Sequence, residues 1–272
     1  MSDPVESCSS YSSVYGPVQS WRFGRSLGVD PIGVVSTCSF HCVYCQLGEI
    51  EQHGCDRQIF IPTEQIQQDL IEFAPWQVDV VTVSGSGEPT LALNLGSILS
   101  MIKSLTHRPT VVLTNGSLLA DPIAQSALQF ADCVAVKLDA IETKSFQRIN
   151  RPAKTLGENC LLQQWVGLEQ FRQQYSGKLA IQTMLLEAWS ATAQDRYIHL
   201  MQSLSPDEIQ LNTPTRPKPL THELEARGNH PISPFPARSL KPVSAEVLTI
   251  FADRIQAATG IPVRIPQMLI PV

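Results

Sequence analysis

The sequence lacks a long hydrophobic run. None of its 272 residues lies in an apolar stretch approaching the ~18 residues that a membrane-spanning helix needs. Its amino terminus, Met-Ser-Asp-Pro-Val-Glu-Ser, is acidic, whereas a secretory signal begins with basic residues. We therefore expect a cytoplasmic protein that has no membrane partner.

The sequence also has fewer basic than acidic residues. Lysine and arginine together number 20 against 25 acidic residues, which gives a net charge of -5. A chain of this kind has no basic surface over its whole length, so nucleic-acid binding would require a local patch.

The seven cysteines do not form the even set expected of a disulfide scaffold. Three of them are clustered at metal-ligand spacing, which fits a reducing compartment. Cys8 lies in a Ser-rich lead, residues 1–14, which we expect to be disordered, and a free exposed thiol is the simpler interpretation of it. Cys133 and Cys160 fall inside predicted secondary structure and are expected in the core.

The remaining chain, residues 15–272, is predicted to form one domain. At 43% hydrophobic content, a chain of this length is able to bury roughly 70–75% of its unfolded surface. Apolar runs typical of buried strands alternate with helical patterns, which predicts a parallel sheet built from βα units. The predicted strands cover residues 32–35, 78–83, 110–116, 133–139, 179–186 and 208–213, and the predicted helices cover about 63–71, 93–105, 122–130, 157–175, 195–204 and 244–259.

The most informative stretch carries three cysteines with C-x3-C-x2-C spacing, Cys38, Cys42 and Cys45, directly after the apolar run 32–35. Three thiolates leave one position of a four-coordinate metal centre open, and an open position accepts a reactive ligand. Two alternatives stay open from spacing alone: a buried, inert cysteine trio, or a zinc site. The fourth zinc ligand would then be His41, His53 or Cys55.

Polar residues follow three other predicted strands. Strand 78–83 is followed by Ser86-Gly87-Glu88-Pro89, in which exposed backbone groups stand beside a carboxylate, although a plain strand-to-helix turn gives the same pattern. Caps and solvated charges give the same pattern, but because ligands sit at the carboxyl ends of parallel strands, we expect four polar residues to line one rim of the sheet. These are Thr114, Asn115, Lys137 and Asp139. Gln182 lies within an apolar strand pattern and either faces a ligand or is a satisfied core residue.

Cys38, Cys42 and Cys45, with Phe40 and Tyr44 between them, resemble the signature of the radical S-adenosylmethionine (SAM) superfamily. The resemblance implies a partial (β/α)6 barrel over about residues 30–213. Glycines and prolines punctuate residues 15–31 and predict an ordered irregular segment or hairpin before the barrel, and the helix predicted at 244–259 follows it. The resemblance also implies one 4Fe-4S cluster on the three thiolates, whose fourth iron chelates SAM. One electron then splits SAM and yields a 5'-deoxyadenosyl radical.

The same resemblance assigns the strand-end residues to SAM. A Gly-Glu-Pro sequence after the second strand binds the SAM ammonium in this family, and Ser86-Gly87-Glu88-Pro89 is similar to it. The other residues expected to bind the cofactor are Tyr44, Thr114, Asn115, Asp139 and Gln182. The family also implies an electron donor such as flavodoxin or ferredoxin.

Further motifs resemble the short bacterial and archaeal radical SAM proteins grouped with tRNA 4-demethylwyosine synthases. They are Tyr-Gly-Pro-Val, Arg-Ser-Leu-Gly-Val-Asp-Pro, Gly-Glu-Pro-Thr, Thr-Asn-Gly-Ser-Leu-Leu, Lys-Leu-Asp-Ala and Asn-Thr-Pro-Thr-Arg-Pro. Those synthases use three additional upstream cysteines, whereas this chain has only Cys8 there. The reaction is therefore assigned as hydrogen-atom abstraction from an unidentified substrate, which is a small molecule, a protein or tRNA.

Two segments outside the predicted barrel bear on that choice. Arg22 and Arg25 precede the cysteines and either face an anionic group or are solvated. Residues 214–242 contain seven prolines among several basic residues, and long loops of this kind are functional or disordered. A continuous basic patch formed by Arg22 and this loop would favour a tRNA substrate.

Overall fold

The computed structural model describes residues 11–228 and 235–266. The strands are β1 Val14–Ser20, β2 Gly24–Val29, β3 Thr37–Cys38, β4 Gln52–His53, β5 Val80–Val83, β6 Thr110–Thr114, β7 Cys133–Lys137, β8 Lys178–Met184, β9 Glu208–Asn212, β10 Lys218–Pro219, β11 Ala237–Arg238 and β12 Val263–Arg264. The helices are α1 Thr63–Ile71, α2 Leu95–Thr106, α3 Pro122–Leu128, α4 Thr143–Ile149, α5 Cys160–Gln174, α6 Ala191–Leu204 and α7 Ala245–Thr259.

One curled, open sheet forms the centre of the fold, with strand order β1-β2-β5-β6-β7-β8-β9-β12. All neighbouring strands in it run parallel except β1, which is antiparallel to β2. The six central strands, β2 and β5 to β9, confirm the predicted partial barrel. Because the strands are parallel, their carboxyl ends meet at one rim.

The two faces of the sheet bury different residues. One face packs under the helices in a large core that includes Val83, Val112, Val134 and Ile181. The alternate residues of the same strands form a smaller cluster on the concave face, which contains Val111, Cys133, Ala135 and Ala180 with Phe23, Val80 and Leu113 packed against them. This alternation follows from the two-residue period of a β-strand.

The first barrel strand is not the one predicted from sequence. Residues 32–35 form no strand, and Val34 and Val35 are 55% and 45% exposed. The strand is β2, which buries residues 26–29, and the segment predicted to be irregular or a hairpin is the hairpin of β1 and β2. The chain turns after β2 because the Asp30 carboxylate accepts the backbone N–H groups of Ile32 and Gly33.

The two ends of the domain also differ from expectation. Ser13 is buried and Val14 begins β1, so ordered structure begins before residue 15. Residues 1–10 of the predicted disordered lead, with Cys8, lie outside the described residues. At the other end, Gly260 ends the predicted α7, and the following residues contribute β12, a seventh parallel strand beside β9.

None of the helices in the described ranges is both long enough and apolar enough to cross a membrane.

Candidate active site

The cysteine loop is attached to the carboxyl end of β5 by two backbone hydrogen bonds. Thr37 N–H donates to the Ser86 carbonyl at 3.0 Å, and Glu88 N–H donates to the Thr37 carbonyl at 3.0 Å. A Cβ at Gly87 would lie 1.7 Å from that Thr37 carbonyl oxygen, so position 87 admits no side chain without backbone movement. The predicted Ser86–Pro89 element therefore lies directly beside Cys38.

All three predicted metal ligands are free thiols in partly or fully buried positions. Burial raises the pKa of Cys38, raises that of Cys42 to about 12 and raises that of Cys45, and the three groups also repel one another as thiolates. Burial favours the neutral thiol, and a bound cation reverses this preference, because metal binding displaces the thiol protons. Within residues 11–228 and 235–266, no three metal-ligating side chains converge closely enough to hold a single metal ion.

Two asparagine amides contact two of these sulfurs. Asn115 Nδ2 lies 3.6 Å from Cys38 Sγ and donates to Ser39 Oγ at 2.8 Å. Asn150 Nδ2 lies 3.6 Å from Cys42 Sγ. Asn115 is a predicted site residue, but sequence reasoning missed Asn150, because it follows the short helix α4, which the sequence pattern did not identify. Such amide contacts to sulfur are one of the means by which proteins set the potential of a metal cluster.

The carboxylate of Glu88 is buried and accepts four hydrogen bonds. Three of them reach Oε1, from Thr90 N at 3.1 Å, Thr90 Oγ1 at 2.7 Å and Thr114 Oγ1 at 2.6 Å. The fourth joins Asn115 N to Oε2 at 2.7 Å. Burial raises the pKa of Glu88 above its usual value although these donors oppose the shift. Each carboxylate oxygen offers about two lone-pair sites; Oε1 is crowded by three donors that share its sites, whereas Oε2 accepts a single hydrogen bond and keeps one site free.

Tyr44 and Asp139 contact each other at the carboxyl end of β7. The Tyr44 hydroxyl donates to Asp139, which also accepts from Asn150 Nδ2 at 2.8 Å and from Met184 N–H at 2.9 Å. The Lys137 ammonium lies 5.1 Å from the centre of the Tyr44 ring. Burial lowers the pKa of Lys137, but attraction to the nearby thiolates and to Asp139 outweighs burial and raises it.

Two predicted residues have side-chain hydrogen-bond partners outside the cysteine loop. Gln182 donates to Gln210 Oε1 at 2.8 Å, and Gln210 donates to Glu208 at 2.6 Å, so the Gln182 amide belongs to a polar network on β8 and β9. Ser86 donates its hydroxyl to Asp30 at 2.6 Å. Seven of the other predicted residues form two connected groups: Cys38 with Glu88, Thr114 and Asn115, and Cys42 with Tyr44 and Asp139, the latter group joined by Asn150.

Residues 214–228, which we call the strap, cover the cysteine loop. Glu223 N–H donates to the Leu47 carbonyl at 3.0 Å, and the buried Lys218 ammonium pairs with Glu49 at 3.0 Å. Arg227 pairs with the fully buried Asp30 at 3.0 Å. Two basic residues of the predicted basic loop are thus paired internally and do not contribute to an exposed patch. The part of that loop at residues 229–234 lies outside the described residues.

The chain resembles known proteins over most of its length. It is 53% identical over 257 residues to the UPF0026 protein slr1464 of Synechocystis sp., which covers 93% of this chain and 96% of that protein. It is 33% identical over 210 residues to the UPF0026 protein MJ1312 of Methanocaldococcus jannaschii, which covers 75% and 64% respectively.

Solved structures show the same fold. Streptococcus suis SuiB bound to S-adenosylmethionine superposes with a TM-score of 0.61 at 13% sequence identity, covering 85% of this chain and 48% of SuiB. A sequence model described as the radical SAM superfamily matches residues 32–159, which contain the three-cysteine loop, β5 to β7 and the Glu88 carboxylate. The chain belongs to the radical SAM superfamily.

Proposed function

We propose that this enzyme binds one 4Fe-4S cluster through Cys38, Cys42 and Cys45 and uses SAM to abstract a hydrogen atom from its substrate. The observation that carries the proposal is the pair of backbone hydrogen bonds between Thr37 and the Ser86–Glu88 segment. They hold a three-thiol loop against a buried carboxylate at the rim where parallel-sheet proteins bind ligands.

The donor set fits such a cluster. Three cysteine thiols are soft ligands that suit iron-sulfur centres, and a fourth cysteine is not needed when SAM supplies the remaining ligand. When bound, the cluster supplies the electron that splits the sulfonium bond of SAM into methionine and a 5'-deoxyadenosyl radical, which takes a hydrogen atom from the substrate. Asn115 and Asn150 would stabilise the two thiolates that they contact.

We assign the SAM site to the residues around Glu88. Its Oε2 retains accepting capacity for the SAM ammonium, while Thr90, Thr114 and Asn115 hold the carboxylate in place. Ser86, Gly87 and Pro89 shape the backbone at this position. We also assign Tyr44, Asp139 and Gln182 to the proposed site. Tyr44 and Asp139 lie beside the cysteine loop, and Gln182 lies on β8.

We further propose a cytoplasmic location, with a small electron carrier such as flavodoxin or ferredoxin as reductant. In the described residues all six cysteines are free thiols, which suits a reducing compartment. The substrate stays open between a small molecule and a macromolecule. A tRNA substrate stays among the candidates: Lys218 and Arg227 of the predicted basic loop are paired inside the protein, whereas Arg216 of the same loop lies near enough to Arg22 for their charges to repel.

The test is SAM cleavage by protein reconstituted anaerobically with iron and sulfide. With dithionite, the wild-type chain should form 5'-deoxyadenosine, and the yield should rise when a cell-extract fraction containing the substrate is added. Cys42→Ala should lose both the visible absorbance of the cluster and the product, whereas Cys133→Ala, remote from the loop in β7, should keep both. A colourless zinc protein that forms no deoxyadenosine would support the noncatalytic zinc alternative instead.

A further inference from the structure

Two half-buried arginines have no acidic partner among the residues that the structure describes. Six arginines of the described chain are half-buried, and four of them pair with an aspartate at 2.6 to 3.3 Å. These four are Arg57, Arg172, Arg227 and Arg254. The other two are Arg22 and Arg216, and no carboxylate of the described residues lies within ion-pair distance of either guanidinium. Removing a charge from water without a counter-charge is unfavourable, so buried charges are normally paired.

Arg22 lies in the turn between β1 and β2, which reaches across the open edge of the sheet to β12. Arg264 of β12 donates to the Trp21 carbonyl at 2.6 Å and to the Arg22 carbonyl at 2.9 Å. The guanidinium groups of Arg22 and Arg264 lie 4.9 and 5.8 Å from the centre of the same Trp21 ring. Phe23, the next residue, packs in the concave-face cluster. The turn is therefore fixed at the barrel interior.

Arg216 belongs to the strap, which covers the cysteine loop. Its Nη1 donates to Gln46 Oε1 at 3.0 Å, and Gln46 follows Cys45 in the cysteine loop. Arg264 is partly neutralised by Glu208 at 3.4 Å, and Glu208 also pairs with Lys178 at 2.6 Å. Glu208 is thus shared by Arg264 and Lys178, and neither Arg22 nor Arg216 pairs with it.

The arginines are close enough to repel one another. Burial together with repulsion from Arg216 and Arg264 lowers the pKa of Arg22 to about 10, and burial lowers the pKa of Arg216. An anion placed between the two guanidinium groups would remove this repulsion. Guanidinium groups form paired, charge-assisted hydrogen bonds with carboxylate and phosphate, which makes arginine suited to recognising them.

We propose that Arg22 and Arg216 form an anion subsite inside the barrel that binds a carboxylate or phosphate group of the substrate. The inference rests on the proposed function, since it places this group beside the cysteine loop where the hydrogen atom is abstracted. It narrows the substrate class to molecules that carry such a group.

The experiment is calorimetric titration of the anaerobically reconstituted full-length chain at low ionic strength, with inorganic phosphate and with malonate as separate probes. Heat with phosphate alone identifies a phosphate subsite, and heat with malonate alone identifies a carboxylate subsite. Heat with both probes identifies a site that accepts either group.

Arg22→Gln and Arg216→Gln should each weaken binding about tenfold or more, as loss of one charge-assisted partner implies. Arg25→Gln is the matched control, because Arg25 is exposed in the same hairpin. No heat with either probe, or equal affinity in the Arg22→Gln/Arg216→Gln double variant, overturns the subsite.

A second measurement uses only the wild-type chain, so its result does not depend on whether the variants fold. Phenylglyoxal modifies accessible arginines, and mass spectrometry of the wild-type chain should show Arg22 and Arg216 protected by the bound probe while Arg25 is not. Equal modification with and without the probe also overturns the proposal. Deoxyadenosine assays on the same preparation separate the two proposals: product without anion binding removes only the subsite, and anion binding without product removes only the SAM chemistry.

Discussion

The carboxylate of Glu88 accepts the backbone N–H of Asn115 at 2.7 Å, and the side chain of Asn115 lies 3.6 Å from Cys38 Sγ. The first contact joins the residues that follow β5 and β6, and the second joins β6 to the cysteine loop. Any change at Glu88 therefore acts on the proposed SAM site and on the position of Cys38, a proposed cluster ligand, together, and experiments need to measure the two separately.

Glu88→Gln should weaken SAM binding by roughly ten- to a hundredfold, the equivalent of one charge-assisted hydrogen bond. The new amide group also faces backbone and hydroxyl donors, so we expect a loss of about 1–3 kcal/mol in the free energy of unfolding. Calorimetry with SAM and urea denaturation measure these effects, and iron content should be unchanged. Glu72→Gln, at an exposed position after α1, is the control. An unchanged dissociation constant for SAM would make Glu88 a structural turn residue.

Gly87→Ala should prevent the cysteine loop from docking on β5. The added Cβ would lie 1.7 Å from the Thr37 carbonyl oxygen, and both partners are backbone, so relief requires separation of the two segments. We expect a loss of stability of about 1–3 kcal/mol or more, as for other overpacked sites, together with reduced iron incorporation. Gly54→Ala is the matched control, since a Cβ there meets no atom within 4 Å. Equal iron content in the two variants would argue against this role of Gly87.

Sequence alone predicted the barrel because its evidence is local and repeated. Strands β5 to β7 are short apolar runs that end in or lead into polar residues, as burial on both faces of a parallel sheet requires. Strand β8 is mostly apolar, and β9 alternates polar and apolar residues. Strand β2 was missed because Gly24, Arg25 and Ser26 interrupt its apolar character, and the more apolar segment at Val34 and Val35 was chosen instead.

The candidate site was predicted where motifs are contiguous and missed where contacts are distant. Cys38 and Glu88 belong to compact motifs, whereas Asn150 meets Cys42 over 108 positions of the chain. No local pattern predicts such a contact. The pairing of Arg227 with Asp30 is equally non-local, at a separation of 197 positions, and it helps to hold the strap against the protein.

Arg227→Gln should release the strap from the hairpin. Asp30 is fully buried and loses its only guanidinium partner among the described residues, and breaking one side of a buried pair costs about 3–5 kcal/mol. Loss of the contacts of the guanidinium with Tyr11 and Tyr15, at 5.1 and 4.9 Å, adds to the effect. Chemical denaturation measures the change, with Arg238→Gln, exposed on β11, as a control expected within about 0.5 kcal/mol of wild type. Equal stability of both variants would show that the strap is held by its other contacts.

The last prediction concerns the number of clusters. A second cluster built as in the wyosine synthases needs three further cysteines near the first, and the described chain offers few. Cys133 is buried on the concave face of β7, and Cys160 is buried at the start of α5. Cys55 accepts a hydrogen bond from Thr155 at 3.3 Å and lies near enough to Cys160 to raise the pKa of that thiol further, after the effect of burial. A second cluster would therefore have to form around Cys55.

We expect about four iron and four sulfide per reconstituted chain, the content of one 4Fe-4S centre. Cys55→Ser should leave this content unchanged, and no pyruvate-dependent product should appear with tRNA that contains methylguanosine. Iron and sulfide analysis and mass spectrometry of the tRNA measure these outcomes. About eight iron per chain, lost when Cys8 and Cys55 are both changed to Ser, would contradict the single-cluster prediction, because only a second centre held by those thiols would account for the loss, and wyosine-type chemistry would then become the favoured reaction.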